Sequence, residues 1–233
     1  PSAPGPRPAQ VTSAAAAVAS AIGTILWRIR RASEDRTTSD SKLRLLCKPI
    51  PILVLIYLVS VSNRNRYGTA IVVGLSFSLV GDILLELPFK LFVWGLGAFL
   101  MAHMAYIFAF LSRTRSFTLI WATPFVMWCA AMLFWISPKL DNLAMPVTVY
   151  VTVIALMLWR AAAVMVAGLM GARMALVGAV FFAISDSCIA INKFMYAFEG
   201  ARELIIVTYW IGQFGIAYSV LVSTADEHRA TVD

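Results

Sequence analysis

Apolar runs of membrane-crossing length recur along the 233-residue chain, at about 14–29, 44–62, 68–87, 91–111, 117–136, 143–159, 174–193 and 204–223. A span needs about 20 mostly apolar residues. In hydrocarbon every backbone N–H and C=O must be satisfied within the protein, which leaves helices and closed barrels. Barrel strands alternate apolar and polar residues in segments of about ten. These runs are apolar on all sides, the pattern of helices surrounded by lipid or protein. The fold class is therefore all-α, a polytopic transmembrane bundle of about eight membrane-spanning helices. With 61% hydrophobic and 13% charged residues, the chain stands well apart from soluble domains, which average about 25% charged.

The connections "NRNRYG" (63–68), "PFK" (88–90), "SRTRS" (112–116) and "SPKLDN" (137–142) are too short to hold a second domain. The expected organisation is a disordered Pro-rich tail at 1–12, one transmembrane domain at 13–224 and a tail at 225–233. The start "PSAPGPRP" lacks Met and reads as trimmed or processed. Arg28, Arg30 and Arg31 look like a stop-transfer flank, and the competing reading of residues 1–30 is a cleaved signal peptide. Cys47, Cys129 and Cys188 have no paired spacing, so they read as buried structural thiols. The net charge of +7 is scattered at span ends apart from a cluster from Arg28 to Lys48. That pattern argues against a nucleic-acid partner and for an orientation signal that puts the cluster's side in the cytoplasm.

Ionisable residues inside spans are costly and usually face a bundle interior or an aqueous cavity. Asp82, in "VVGLSFSLVGDILLELPF" (72–89), and Asp186, in "FFAISDSCIAINKF" (181–194), lie at matched depth from that same side. Lys48, Tyr209 and Gln213 lie at similar depth, and His103 is nearer mid-membrane. At 1.5 Å per residue most of these groups fall within about 6 to 15 Å of one face. The segment "LAMPVTVYVTV" (143–153) reads as lacking such groups. Gly74, Ser78 and Asp82 form one helical stripe, Ser185/Asn192 and Asp186/Lys193 form two polar rows, and Tyr209/Gln213 share a face. A lone Ser, Tyr or Gln in a membrane helix more often ties helices together, and Lys48 can snorkel. Glu86, Lys90 and Arg160 read as interfacial. Two aspartates at one depth with Lys and His in reach point instead to a functional site.

The ordered motifs "KPIP", "GLSFSLVGD", "GLGAFLMAHMAYI", "SDSCIAINKF" and "TYWIGQF" resemble the lysoplasmalogenase (YhhN-like) family of integral membrane proteins, from about Lys48 to Gln213. The resemblance implies that the transmembrane domain is catalytic and hydrolyses the vinyl ether bond of lysoplasmalogens, giving a fatty aldehyde and glycerophosphocholine or glycerophosphoethanolamine. It implies catalytic roles for Asp82 and Asp186. Carried over by motif as substrate-binding candidates are Lys48, His103, Tyr106, Ser185, Asn192, Lys193, Tyr209 and Gln213, to which the stripe adds Ser78. The implied partners are a lysoplasmalogen and the bilayer. "TYW" and "NKF" are more similar to the eukaryotic branch, which implies an endoplasmic reticulum membrane, with a bacterial inner membrane otherwise.

The chemistry suits the residue types. A vinyl ether hydrolyses by protonation of the carbon distal to oxygen, and water then captures the oxocarbenium ion. Burial and a like-charged neighbour keep one carboxyl of a pair protonated, so Asp82 and Asp186 are jointly assigned acid and base. No cofactor or metal is expected, because His103 has no second His or thiolate at ligand spacing. The rival readings are a proton-coupled transporter, which also uses intramembrane Asp and His, and a lipid-binding membrane protein.

Overall fold

The computed structural model describes residues 48–62, 65–87 and 91–229. Seven α-helices account for most of them: α1 (Ile50–Ser62), α2 (Arg66–Glu86), α3 (Phe92–Arg113), α4 (Thr123–Ile136), α5 (Ala144–Val166), α6 (Ala172–Ala190) and α7 (Ala201–Arg229). Short 3₁₀ turns at Leu119–Trp121, Ser137–Lys139 and Asp141–Leu143 flank α4 and α5, and a π-helical turn, Ile191–Met195, ends α6. No strand occurs among the described residues.

Among the described residues six helical segments are long and apolar enough to cross a membrane: Arg66–Glu86, Phe92–Arg113, Leu119–Lys139, Asp141–Val166, Ala172–Met195 and Ala201–Thr224. The all-helical fold class thus matches the sequence, and six of the expected spans appear as such helices among the described residues. The run at 14–29, the basic cluster before Lys48, and Cys47 lie outside the described residues. The run at 44–62 emerges as the 13-residue α1, with Lys48 in the turn ahead of it. Helix α5 continues to Val166, past the expected end at 159, with Arg160 buried against the segment at 114–116. Its guanidinium donates to the Ser116 carbonyl at 2.8 Å and to that of Thr114, and lies 5.4 Å from the Trp159 ring centroid.

Local sequence explains the helix ends. Asn65 caps α2, its Oδ1 accepting the Gly68 N–H at 2.9 Å as short polar side chains do at helix starts. Gly171, at φ 76°, turns the chain between α5 and α6, a conformation that costs other residues a steric clash. The short connections make sequential helices antiparallel. The ends of α2, α4 and α6 and the starts of α3, α5 and α7 therefore gather at one face, together with Lys48.

The most extensive contacts join α6 to α7 and α2 to α3. Membrane helices gain little from burying apolar surface, so small residues that let backbones approach do much of the packing. A Cβ on Gly178 of α6 would meet the Gly212 carbonyl oxygen of α7 at 2.7 Å. Helix α4 is the outlying element, burying Cys129 and Ile136. Replacing Gly178 by Leu should overpack the α6–α7 contact by about 1–3 kcal/mol, lowering the melting temperature in detergent. Gly97→Leu, whose Cβ would meet open space, serves as the control. Equal melting temperatures for the two variants would contradict the close approach.

Candidate active site

The polar residues that the sequence singles out gather into two networks. The first is built on Asp82. One carboxylate oxygen lies 3.1 Å from Lys48 Nζ, and the other accepts the Tyr209 hydroxyl at 2.6 Å. Lys48 is also 3.5 Å from Glu86, which in turn lies 3.8 Å from Arg202. One turn deeper, Tyr106 donates to Gln213 Oε1 at 2.6 Å, and the Gln213 amide donates to Ser78 at 2.9 Å. The i, i+4 spacings of Ser78/Asp82 and Tyr209/Gln213 place both tiers on the facing sides of α2 and α7. Gly74, below Ser78, makes room for the Tyr106 ring.

The second network is built on Asp186. Its Oδ2 accepts the Tyr150 hydroxyl at 3.0 Å and lies 3.2 Å from His103 Nε2, although that approach is oblique to the ring N–H direction and makes no aligned hydrogen bond. His103 Nδ1 is 2.6 Å from the Phe99 carbonyl oxygen one turn back on α3. A carbonyl oxygen has lone pairs alone to offer, so Nδ1 carries a proton. His103 itself is wholly buried.

Two phenylalanines stand against both networks. Phe182 lies 4.5 Å from the His103 ring and 5.5 Å from the Tyr209 ring, centroid to centroid. Phe99 packs edge-on against Phe182 and Tyr209. The aspartates, expected to act as one coupled pair, thus have separate partners: Lys48 and Tyr209 for Asp82, His103 and Tyr150 for Asp186.

Asp186 and Tyr150 also line a narrow cavity with about 70 Å³ of space for water-sized occupants. Its walls are otherwise almost entirely apolar, with Leu96, Phe99, Trp128, Met132 and Ile154 among them. Asp82 does not line it. Phe92 and Phe194, in edge contact at 6.1 Å, line it toward the face where α3 begins and α6 ends. Lys193, exposed on the π-helical turn, holds its Nζ 5.0 Å from the Phe92 ring centroid.

The remaining candidates fall elsewhere. Ser185 donates to the Ile205 carbonyl at 3.0 Å, tying α6 to α7, and Asn192 is half-buried on the π-helical turn. Cys129 and Cys188 are free thiols, the first of them on the cavity wall. Among the described residues no three His, Cys, Asp or Glu side chains gather to hold a metal ion. Two participants run against the sequence reading. Tyr150 lies within the segment read as lacking polar groups, yet it sits six residues into α5 from the face that both aspartates approach, so depth alone would have found it. Glu86, read as interfacial, is a second carboxylate for Lys48.

Residues 43–220 match the YhhN family. This chain belongs to that family. It is 39% identical over 204 residues to human lysoplasmalogenase TMEM86A, an alignment covering 80% of this chain and 82% of that protein. Rat lysoplasmalogenase TMEM86B is 32% identical over 208 residues, 88% of this chain and 82% of the relative. A Mycobacterium bovis lysoplasmalogenase is 37% identical over 154 residues, 60% and 54% respectively. No solved structure matches. The motifs of this YhhN protein that carry the networks, from Lys48 to Gln213, all fall inside the matched region.

The Lys48–Asp82 pair sets a stability test. Breaking a buried ion pair by removing one partner leaves an uncompensated charge, at a cost of about 3–5 kcal/mol. Asp82→Asn should cost about 3 kcal/mol, the low end of that range, because Glu86 stays near Lys48. Lys48→Met added to Asp82→Asn should recover part of that loss. Purified variants compared by thermal unfolding in one detergent check this; a double variant less stable than Asp82→Asn would show that the two side chains are not coupled.

Proposed function

We propose that this YhhN protein is a lysoplasmalogenase, a multi-pass membrane hydrolase that cleaves the vinyl ether bond of an alkenyl glycerophosphocholine or glycerophosphoethanolamine to a fatty aldehyde and the glycerophospho-base. The relatives' names supply the reaction class. The observation that carries the reading in this chain is the Asp186 carboxyl, presented to an apolar cavity and backed by a histidine whose other nitrogen is already committed.

With Nδ1–H donated to Phe99, Nε2 faces Asp186 Oδ2 at 3.2 Å, where two bare lone pairs would repel. One proton therefore belongs to the pair, as a carboxylic acid beside neutral imidazole or as imidazolium beside carboxylate. A small rotation about the soft terminal torsion of Asp186 aligns the contact. Through Asp186 this proton passes to the alkene carbon distal to oxygen, while the ether oxygen's lone pair moves in to form the oxocarbenium ion. The pair, now lacking its proton, takes one from water as the water oxygen bonds to the carbon that bears the ether oxygen. The hemiacetal then gives up its hydroxyl proton, the bond to the glycerol oxygen breaks, and that oxygen is protonated. One water is consumed and the acid is restored. Tyr150 donates to Oδ2 and holds the carboxyl in place.

Asp82 acts at one remove, as a positioning residue. It fixes Tyr209, which packs on Phe99, a ring of the cavity wall, and on Phe182, the ring that backs His103. Lys48 is occupied by two carboxylates, so exposed Lys193, beside Phe92 and Phe194, is the better placed lysine to meet the lipid phosphate. Seven residues along the helix separate it from Asp186, about 10 Å, a span suited to an extended glycerol phosphate.

Purified protein incubated with a lysoplasmalogen should release free aldehyde, and with the ester-linked analogue no free fatty acid. Fatty acid from the ester without aldehyde from the vinyl ether would overturn the assignment. Asp186→Asn should lower kcat by at least about 100-fold, the scale of general acid–base catalysis, and Tyr150→Phe by a smaller factor. Unchanged kcat in Asp186→Asn would remove Asp186 from the chemistry.

A further inference from the structure

A second hollow, of about 530 Å³ and open to the outside, runs along the outer faces of α2 and α3. Its walls are apolar: Val73 and Phe77 from α2, Met101, Met104 and Phe108 from α3. Val73, Met101, Met104 and Phe108 are all exposed. At one end stands Arg66, the first residue of α2, with Thr69 one turn in. This end belongs to the face opposite the two aspartate networks, since Arg66 and Asp82 sit near opposite ends of α2.

We infer that this groove binds a phospholipid of the leaflet on that face, with an acyl chain lying between α2 and α3 and an anionic headgroup held by Arg66. Four observations point to this occupant. The α2 side of the groove, from Arg66 to Phe77, spans eleven residues or about 16 Å, close to half of a hydrocarbon core of about 30 Å. It is thus one leaflet deep, with its charge at headgroup level. The paired methionines give an adaptable wall suited to a chain without fixed conformation. Arg66 is exposed and forms no ion pair or hydrogen bond with the described residues. Arg113 nearby is instead committed to the Met170 carbonyl at 3.1 Å and to the Tyr67 ring. Finally, every acidic residue whose side chain is described, namely Asp82, Glu86, Asp141, Asp186, Glu199 and Glu203, lies toward the other end of the bundle. Nothing among them repels an anion at Arg66 or competes for it.

This inference does not depend on the catalytic reading. A basic side chain near a bilayer surface contributes about fivefold in preference for anionic lipid. In nanodiscs, spin-labelled phosphatidylglycerol should therefore populate the motionally restricted fraction about fivefold more strongly than spin-labelled phosphatidylcholine. Arg66→Gln should abolish most of that preference, Arg66→Lys should keep it, and Val73→Trp should reduce the restricted fraction of both lipids by filling the groove. Equal association of the two lipids with the unmodified protein, or a preference untouched by Arg66→Gln, would overturn the proposal. So would disulfide cross-linking of two copies through Phe108→Cys in nanodiscs, or burial of that cysteine by the run at 14–29, because each puts protein where the lipid is placed.

Discussion

An ionisable side chain inside an apolar bundle has to find its partner on another helix, and this requirement organises the interior of the protein. Asp82 brings together the turn before α1, α2 and α7 through Lys48 and Tyr209. Gln213 binds α7 to α2 and α3 through Ser78 and Tyr106. Asp186 binds α6 to α3 and α5 through His103 and Tyr150. Since the hydrophobic effect gives membrane helices little reason to associate, these polar ties and the glycine contacts between α6 and α7 define which faces meet. Helix α4 takes part in none of them and buries little of itself, and it supplies Trp128, Cys129, Met132 and Ile136 to the outer wall of the cavity.

The two aspartates look equivalent in sequence and differ in their surroundings. Asp82 has a lysine at 3.1 Å and a tyrosine at 2.6 Å, an arrangement that suits a fixed structural task. Asp186 faces apolar space and leans on a histidine able to share a proton with it. A proton donor that must reach a carbon atom of a lipid gains from this setting, because a wall without competing water leaves the alkene as the available base. The imidazole supplies the second basic site that a two-carboxylate scheme would ask of Asp82.

Much of this was legible before any coordinates. Apolar run length gave the all-α class and most limits of α2 to α7 to within three residues, but missed the start of α4 and the ends of α5 and α7 by six or seven. Helical spacing linked Ser78 with Asp82 and Tyr209 with Gln213, and both pairs do work together. Spacing along one helix says nothing of which residue on another helix it meets, so the division into two networks was hidden. Tyr150 was missed because an isolated tyrosine among Val and Thr carries no periodic signal, and Glu86 because the end of a span looks interfacial whether or not a lysine folds back over it. Arg160 marked a helix end falsely, since its charge is met by carbonyls of the 114–116 segment and the helix runs on past it.

The central claim is that a proton held between His103 and Asp186 is delivered to carbon. Turnover of a lysoplasmalogen in heavy water, with the aldehyde trapped at once as a hydrazone, tests it by mass spectrometry. Protonation at the distal alkene carbon places one deuterium on the carbon next to the aldehyde carbon, in excess of that acquired by a control aldehyde carried through the same trapping. A product with no more deuterium than the control would mean that the bond is broken without protonation at carbon, and the role given to Asp186 and His103 would be wrong.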